Sequence, residues 1–474
     1  MRAVPPEQVS EALRVDNPWW NSGSIAPDRA AFQRRAYFDL FAPLASAERV
    51  RRAILLVGPR RVGKTVMLHQ LVQHLIDEGR DPRQLFMLSV DSPLYHGLSL
   101  DEMFARCRSA AGGVSPDGAV MIFDEIQYLP DWERHLKTLV DTYRSTRFIA
   151  SGSAAAALRL KSTESGAGRF TDFVLPPLTF HEYLMLIGES RLFRRGSGTE
   201  AGAFFEAVDI DAANRHFIDY LNFGGYPEIA LSALMRGDSA RFVRGDIIEK
   251  VLLRDLPSLY GITDVPELNA LFTTLAFNTA GEVSLEELSR GSGVAKNTIK
   301  RYIEYLEAAF LVKRVSRVDR SAKRFIREST FKVYLTNPSM RAALFAPVTA
   351  DHHDMGSLVE TAVFAQWFHS VRTQLHYARW KQGEVDVVAL DPRQRPDWAC
   401  EVKWSDRYGD RPRELEALIT FCREHGLGDA IITTRTTSNA ETIEGVRLRF
   451  VPASAYCYTV GHNLVRGLFT TRAG

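Results

Sequence analysis

One glycine-rich segment constrains the fold of this chain more than any other. Gly58-Pro-Arg-Arg-Val-Gly-Lys-Thr65 follows the apolar run 53–57 and precedes a stretch with apolar residues at 68, 71, 72, 75 and 76. The order of strand, glycine loop and helix fits the phosphate-binding pattern G-x-x-x-x-G-K-[ST]. Glycines let backbone N–H groups point at phosphate oxygens, and the helix presents its positive end to the same anion. The sequence therefore predicts a P-loop within an α/β domain.

The P-loop supplies candidate ligands for a nucleoside triphosphate and its magnesium ion. Lys64 is expected to reach the β- and γ-phosphates, and the Thr65 hydroxyl is expected to hold Mg²⁺. The predicted nucleotide-binding residues are Gly58, Pro59, Arg60, Arg61, Val62, Gly63, Lys64, Thr65 and Val66. ATP and Mg²⁺ are the predicted cofactors.

A second motif supplies the carboxylates that hydrolysis needs. The apolar run 119–123 ends in Asp124 and Glu125, well after the P-loop. We expect Asp124 in the Mg²⁺ shell and Glu125 beside the attacking water, because one carboxylate is occupied by the metal and another must orient the nucleophile. A strand-like run at 84–90 lies between the two motifs. This order is typical of P-loop ATPases that carry a catalytic glutamate.

Two further residues are candidates for contact with the γ-phosphate. Ser151 lies near the end of the apolar run 146–153, at the position where such ATPases keep a polar sensor. Arg169 follows Gly168 and could reach a nucleotide bound to a neighbouring subunit, where it would stabilise transition-state charge. A plain strand end and a solvated surface arginine are the respective alternatives. The predicted catalytic residues are Glu125, Lys64, Ser151 and Arg169.

Composition limits the classes of function. A length of 474 residues suggests about three domains. The formal net charge is only +2, so a nucleic-acid surface would have to be a local patch. The four cysteines, at 107, 400, 422 and 457, form no metal-ligand pattern and favour a reduced, cytoplasmic setting. No apolar run is long enough for a membrane span, so we expect no membrane association.

Residues 281–335 predict a winged helix. A helix capped by Ser284, a turn at 291–294 and a second helix at 295–306 precede two strand-like runs, 311–315 and 331–335. The connection 313–327 holds seven Lys or Arg residues and one acid. Duplex DNA would be held through its phosphates by this wing and read by the second helix; protein docking is the alternative. The candidate DNA-binding residues are Lys296, Asn297, Lys300, Arg301, Lys323 and Arg324.

A second set of acids lies near the C-terminus. Glu360 lies on a predicted helix, Asp386 on an alternating strand, and Glu401 and Lys403 on one face of another strand, because strand side chains alternate. The set resembles the core of the PD-(D/E)xK nuclease fold. In that reading Asp386 and Glu401 gather Mg²⁺, Glu360 assists, and Lys403 positions water or the phosphate. A fold kept for binding alone is the alternative.

The motifs and the order in which they follow one another along the chain make this sequence resemble a group of archaeal and bacterial AAA+ ATPases. Members of that group carry a C-terminal domain of unknown function, the DUF4143 type. The resemblance runs from about residue 50 to 410 and is carried by Gly58–Thr65, Asp124-Glu-Ile-Gln127 with Trp132, Ser151-Gly-Ser153, Gly168-Arg169, Pro177-Leu-Thr-Phe-His-Glu-Tyr183, Phe223-Gly-Gly-Tyr-Pro-Glu228 and Arg254-Asp255. It implies an α/β fold: a P-loop AAA+ ATPase core with a helical lid, a winged helix and a C-terminal restriction-endonuclease-like α/β domain.

The resemblance and the motifs together give a domain plan. We predict an N-terminal arm at 1–45, the ATPase core at 46–175, the lid at 176–275, the winged helix at 276–340 and the nuclease-like domain at 341–474. The predicted function is Mg²⁺-dependent ATP hydrolysis by an oligomeric DNA-handling motor that acts on duplex or branched DNA. A homo-oligomer, as a hexameric ring, is expected because AAA+ sites borrow an arginine from the next subunit. A regulatory ATPase that docks proteins and an ATP-gated DNA nuclease are the alternatives.

Overall fold

The structure is a computed structural model that describes residues 5–47, 51–152, 168–196, 204–323, 330–368, 370 and 373–467. The chain divides into two compact units, Met1–Pro176 and Pro177–Gly474. Among the described helices, none has both the length and the apolar character that crossing a bilayer requires. The finer division of the second unit into lid, winged helix and nuclease-like domain stays a prediction.

The first unit is built on a five-stranded parallel sheet. Its strands, in chain order, are β1 (Ala53–Val57), β2 (Leu85–Ser89), β3 (Val120–Asp124), β4 (Arg147–Gly152) and β5 (Phe170–Val174). Across the sheet the order is β2-β3-β4-β1-β5, and every neighbouring pair is parallel. The carboxyl ends of the strands therefore lie at one edge, where ligands bind in open sheets of this kind. The predicted motifs at the ends of β1, β3 and β4 meet at that edge.

Helices and short turns connect these strands. The helices are Pro6–Asp16, Trp19–Ser22, Pro27–Ala30, Phe38–Ser46, Lys64–Asp77, Leu100–Ala110 and Trp132–Thr142, with 3₁₀ turns at Pro82–Gln84, Pro93–Tyr95 and Ile126–Tyr128. Local sequence sets their starts: Ser99 and Glu102 form a capping box that begins the helix Leu100–Ala110. Every residue of β1 and β3 is buried, as expected of strands covered on both faces.

The N-terminal segment is anchored on this sheet. The indole N–H groups of Trp19 and Trp20 both donate to the Leu85 carbonyl at 2.8 Å, and both rings are buried. The Asn17 side-chain amide accepts from the Met87 N–H at 2.7 Å and donates to the Met87 carbonyl at 2.8 Å. These bonds satisfy backbone groups on β2, so the segment completes the edge of the sheet.

The second unit contains one large sheet and a short strand pair. Its strands are β6 (Phe193–Arg195), β7 (Phe205–Ala207), β8 (Glu282–Ser284), β9 (Val312–Val318), β10 (Thr330–Leu335), β11 (Leu375–Trp380), β12 (Gly383–Leu390), β13 (Pro396–Glu401), β14 (Asp429–Thr434), β15 (Asn439–Ile443) and β16 (Val446–Pro452). β6 pairs with β7, and the others form a nine-stranded sheet in the order β15-β16-β14-β13-β12-β11-β9-β10-β8. β9 connects β10 and β8 to the other six strands of this sheet through a parallel pairing with β11. The segments predicted as winged helix and nuclease-like domain therefore share one sheet.

Helices fill the rest of the second unit. They are Phe180–Leu186, Ile210–Phe223, Pro227–Leu231, Ala233–Gly237, Ser239–Arg241, Leu256–Tyr260, Val265–Phe277, Leu285–Ser292, Lys296–Ala308, Ser339–Leu344, Met355–Trp367, Arg407–Asp410, Glu416–His425 and Ala453–Val465, with π-helical segments at Phe242–Glu249 and Val251–Asp255 and 3₁₀ turns at Ser190–Leu192 and Pro412–Leu415. The helices Met355–Trp367 and Ala453–Val465 are buried along most of their length. They pack with β10, β11 and β12 into one apolar core.

Candidate functional site

The P-loop has the backbone geometry that its glycines predict. Gly63 has a φ of 95°, in the left-handed region that glycine tolerates, and the helix Lys64–Asp77 begins directly after it. The Lys64 ammonium donates to the Gly58 carbonyl at 3.0 Å and to the Pro59 carbonyl at 2.8 Å. Its side chain is thus held across the loop, beside the positive end of the helix where a P-loop binds phosphate.

A hydrogen-bond network joins the P-loop to the end of β3. The Thr65 hydroxyl donates to Asp124 Oδ2 at 2.7 Å, and the Ser151 hydroxyl donates to Asp124 Oδ1. Both Asp124 oxygens are therefore occupied, and the carboxylate is buried. A threonine hydroxyl and a carboxylate at this separation are the oxygen ligands that Mg²⁺ prefers, so these two residues fit the predicted metal.

Glu125 follows at a strained position. Its φ is 54°, a left-handed conformation that is costly for a residue with a side chain and that clusters at functional sites. The Glu125 N–H donates to Ser151 Oγ at 3.2 Å, and its carboxylate accepts from the Gln127 amide. Ser151 thereby holds both acids, since it bonds to the Asp124 carboxylate and to the Glu125 backbone. The structure brings Lys64, Thr65, Asp124, Glu125 and Ser151 to one edge of the sheet.

A cavity of about 500 Å³ opens beside this network. Thr65, Asp124 and Glu125 line it, together with residues that the motifs did not flag: Asp28, Arg29, His69 and Asp91. Burial lowers the pKa of His69, whose Nδ1 lies 2.9 Å from the Thr65 carbonyl oxygen. The imidazole is thus held neutral at physiological pH and adds no positive charge to this acidic cavity.

Arg169 lies apart from this network in the described residues. Its Nε donates to Asp141 Oδ1 at 2.6 Å, and both side chains are a little over 40% exposed. Exposed ion pairs of this kind contribute little to stability, so the guanidinium can exchange partners at low cost. The role of Arg169 toward a neighbouring subunit stays a prediction. Ser153, which carries part of the family resemblance, lies outside the described residues.

The first glycine of the loop is required by close packing. A Cβ atom at Gly58 would lie 2.2 Å from the Leu175 carbonyl oxygen, at the end of β5. We expect Gly58→Ala to lower the free energy of unfolding by about 1–3 kcal/mol, the usual range for overpacking. Urea unfolding of the nucleotide-free protein measures this. Gly237→Ala is the control, because no atom lies within 4 Å of its added Cβ; equal losses in the two variants would contradict the packing argument.

The predicted DNA-binding residues lie on an exposed helix face. Ile299, Tyr302, Ile303 and Leu306 of the helix Lys296–Ala308 face the core. Lys296, Asn297, Lys300 and Arg301 are exposed, as is Lys323 near the end of the β9 connection. Ser284 caps the preceding helix by accepting from the Glu286 N–H at 3.2 Å. Arg324 lies outside the described residues.

The predicted nuclease-like residues do come together, in a cluster that contains two lysines. Lys403 Nζ lies 2.7 Å from Glu401 Oε1 and 3.4 Å from Asp386 Oδ2. Lys332 Nζ, from β10, lies 2.8 Å from Glu360 Oε1 and 2.7 Å from Glu384 Oε1. The Tyr334 hydroxyl also donates to Glu360 Oε1, at 2.7 Å. We call this set, with its two lysines, four carboxylates and one tyrosine, the lysine–carboxylate cluster.

Burial and the neighbouring charges together set the protonation of the lysine–carboxylate cluster. Burial alone would lower the pKa of Lys332, but the carboxylates of Glu360, Asp386 and Glu384 outweigh it and raise the pKa. Burial, and then the Asp386 carboxylate, raise the pKa of Glu360 and of Glu401. Burial would likewise lower the pKa of Lys403, but the carboxylates of Asp386 and Glu401 outweigh it and raise the pKa. Both lysines therefore stay charged, while Glu360 and Glu401 resist ionisation.

Sequence reasoning missed Lys332, Tyr334 and Glu384 in this cluster. A signal existed for each: Glu384 lies two residues before Asp386 and so shares its strand face, and Lys332 and Tyr334 share one face of an otherwise apolar strand. A buried lysine is rare unless it is paired, so its place in a strand flanked by Phe331 and Val333 indicates a carboxylate partner. The sequence near Lys332 does not indicate which carboxylate is the partner.

Family models match two parts of the chain. Residues 50–184 match the AAA domain model AAA_14, and residues 214–351 match a domain of unknown function, DUF8612. The first match agrees with the geometry of the P-loop and of Asp124. The first unit therefore contains a P-loop ATPase domain of the AAA class. The second match is to DUF8612 and not to a DUF4143-type domain, so the expected C-terminal relationship stays a prediction.

Two curated relatives that the chain matches carry the name uncharacterized protein. A protein of Methanocaldococcus jannaschii is 24% identical over 363 residues, which cover 72% of this chain and 73% of that protein. A protein of Haemophilus influenzae is 22% identical over 293 residues, which cover 60% of this chain and 67% of that protein. Among solved structures, the Orc1 protein of Aeropyrum pernix in complex with DNA has a TM-score of 0.32 and 15% identity, over 69% of this chain and 96% of that one. The names of these two relatives assign no activity.

Proposed function

We propose that this chain is a Mg²⁺-dependent ATP hydrolase that couples hydrolysis to work on duplex or branched DNA. The observation that carries the first part is the 2.7 Å hydrogen bond from Thr65 to Asp124, with Glu125 directly beyond it. It joins the two motifs that position the metal and the attacking water. The AAA domain match over residues 50–184 supports the same reading.

Each residue of the site has a distinct part in the proposed reaction. Lys64 exchanges its bonds to the Gly58 and Pro59 carbonyls for bonds to the β- and γ-phosphates. Its ammonium already lies across the loop, so the side chain does not have to move far. Thr65 and Asp124 hold Mg²⁺, which when bound neutralises charge on the phosphate oxygens. Glu125 orients the attacking water and accepts its proton. Ser151 fixes the relative position of the two acids through its two hydrogen bonds.

A homo-oligomer follows from the part assigned to Arg169. In this proposal the guanidinium exchanges Asp141 for the γ-phosphate of a nucleotide on the next subunit, where it stabilises the transition state. A closed ring, which we propose to be hexameric, gives every site such an arginine.

The DNA part of the proposal rests on the second unit. The order of β8, two helices, β9 and β10, with β10 lying between β8 and β9, supports a winged-helix reading. The face formed by Lys296, Asn297, Lys300 and Arg301 is exposed and basic, as contact with phosphates requires. The chain is nearly neutral overall, so this concentration of charge is local.

The ATPase rate with different DNAs tests the DNA part. We expect several-fold stimulation by duplex or four-way-junction DNA at fixed salt, and less by single strands. In the variant Lys296→Ala/Lys300→Ala/Arg301→Ala, the basal rate is retained and the stimulation is lost. The slope of log binding constant against log salt should fall by about 1 for each lost phosphate contact.

A charge-matched control separates contact from net charge. Arg191→Ala/Arg393→Ala/Arg413→Ala removes three exposed positive charges elsewhere in the second unit and should leave the stimulation unchanged. Hydrolysis that no DNA stimulates would refute the DNA motor and favour a regulatory ATPase that docks proteins. An equal loss in both triple variants would show that bulk charge, and not this helix face, is responsible.

A further inference from the structure

We infer that Lys332 is a built-in cation that takes the place of the divalent metal in the nuclease-like part of the second unit. The lysine–carboxylate cluster is then a closed ionic core, and this part of the chain cuts no DNA. The inference concerns the second unit alone and does not depend on the proposed ATPase function. It contradicts the metal site that the sequence pattern Glu360, Asp386, Glu401 and Lys403 predicts.

The position of Lys332 is the first argument. Its ammonium lies 2.8 Å from Glu360 Oε1, 2.7 Å from Glu384 Oε1 and 3.8 Å from Asp386 Oδ1. Its side chain is only 5% exposed, so water does not screen these contacts. An ammonium has three donors and no acceptor, and here two carboxylates lie within hydrogen-bond distance and a third within ion-pair distance. It thus contacts two of the predicted metal-ligating acids, Glu360 and Asp386, together with Glu384.

The second argument is that the oxygens of Asp386 are already engaged. Oδ1 faces Lys332, while Oδ2 accepts from the Val402 N–H at 2.9 Å and lies 3.4 Å from Lys403 Nζ. Mg²⁺ needs near-octahedral oxygen ligands at about 2.0–2.1 Å. A metal bound to Asp386 would lie within a few ångströms of two ammonium groups in a poorly screened site, where like charges repel strongly. The residues present therefore do not fit the ion.

The third argument concerns the origin of Lys332. The sequence pattern of the nuclease-like fold accounts for one lysine, Lys403, which the structure places two residues beyond Glu401, where β13 ends. Lys332 comes instead from β10, whose register partners lie on β8 and β9. Tyr334, two residues on and on the same face, donates to the same Glu360 oxygen. β10 thus contributes both a cation and a hydroxyl group to Glu360. Because Glu360 lies on the helix Met355–Trp367, these contacts connect β10 to that helix.

Manganese binding tests the inference on the full chain. Electron paramagnetic resonance distinguishes bound Mn²⁺ from free Mn²⁺. The Thr65→Ala variant, measured without nucleotide, serves as the background protein because it lacks the proposed P-loop metal site. We expect no stoichiometric Mn²⁺ in this background, and no change when Asp386→Asn is added. Lys332→Met should create a site that binds Mn²⁺ about 10²-fold more tightly or better, because a nearby unit charge is removed. Lys332→Arg, which keeps the charge, should not.

Two measurements on proteins that keep Lys332 are each sufficient to overturn the inference. One tightly bound Mn²⁺ in the Thr65→Ala protein, lost on adding Asp386→Asn, would show that the metal displaces Lys332. Cleavage of plasmid DNA that requires Mg²⁺ and is abolished by Asp386→Asn would do the same. These two measurements need no substitution at Lys332, so they decide the question even if Lys332→Met fails to fold. If Lys332→Met folds, as judged by circular dichroism, and gains no Mn²⁺ site, the inference is also wrong.

Discussion

Replacing Glu125 with glutamine is expected to slow ATP hydrolysis by about 10²–10⁴-fold, the usual contribution of a positioned general base. ATP binding should be retained, because Glu125 is not among the residues that hold the phosphates or the metal. Glutamine keeps the size of the side chain and its bond to Gln127 while it removes the group that accepts the proton. Single-turnover hydrolysis and equilibrium binding of labelled ATP measure the two effects separately.

The position of Asp124 between Thr65 and Ser151 explains why this residue cannot replace Glu125 as the general base. In the proposed reaction the Asp124 carboxylate is committed to Mg²⁺ and to its hydrogen-bond partners Thr65 and Ser151, so it does not serve the attacking water as well. Glu78→Gln is the matched control, since Glu78 is an exposed glutamate of the same unit at the end of the P-loop helix. Wild-type hydrolysis by the Glu125→Gln protein would remove this residue from the reaction, and a loss of ATP binding would assign it to the binding step.

Replacing Lys64 with alanine is expected to weaken ATP binding and to slow hydrolysis strongly. Hydrogen bonds to charged groups are each worth about 1.5–3 kcal/mol, so ATP affinity should fall by roughly 10- to 100-fold. Loss of a cation that stabilises transition-state charge should lower the rate at saturating ATP by a further 10²–10³-fold or so. Fluorescent-nucleotide titration and steady-state hydrolysis measure the two effects.

The control for Lys64 is Lys137→Ala, which removes an exposed lysine from the helix Trp132–Thr142. Its affinity and rate should match those of the wild type. The buried Lys64 also bonds to the Gly58 and Pro59 carbonyls, so circular dichroism of both variants must show that the fold is retained. A folded Lys64→Ala protein with wild-type affinity would show that nucleotide binds elsewhere.

The geometry of the candidate nucleotide site was largely predictable because the sequence information for it is local. The spacing of Gly58, Gly63, Lys64 and Thr65 dictates a strand, a loop and a helix within one stretch of chain, and the structure places β1 and the helix Lys64–Asp77 there. The predicted strand between the motifs is also present, as β2. The carboxyl ends of parallel strands meet at one edge, so the end of β3 had to approach the P-loop.

The lysine–carboxylate cluster was only partly predictable because its contacts are distant in sequence. Glu401 and Lys403 are two residues apart and do contact each other, although β13 ends at Glu401 and the predicted strand does not extend to Lys403. Nothing local pairs Lys332 with Glu360, which is 28 residues away. The junction of β9 with β11 was missed for the same reason, since their parallel pairing joins Arg317 to Tyr377. Patterns of apolar residues define the faces of strands but do not specify which strands become neighbours.

The shared nine-stranded sheet has a consequence for how this chain can be taken apart. Separating it at residue 340 leaves β11 with the bare edge that β9 covers, and unpaired strand edges promote aggregation. The same cut removes Lys332 and leaves Glu360 and Glu384 without the cation that they share. We therefore expect β8–β10 and the C-terminal strands to fold only as one piece, so the boundary of an insertion, a domain swap or an expressed fragment should lie ahead of β8.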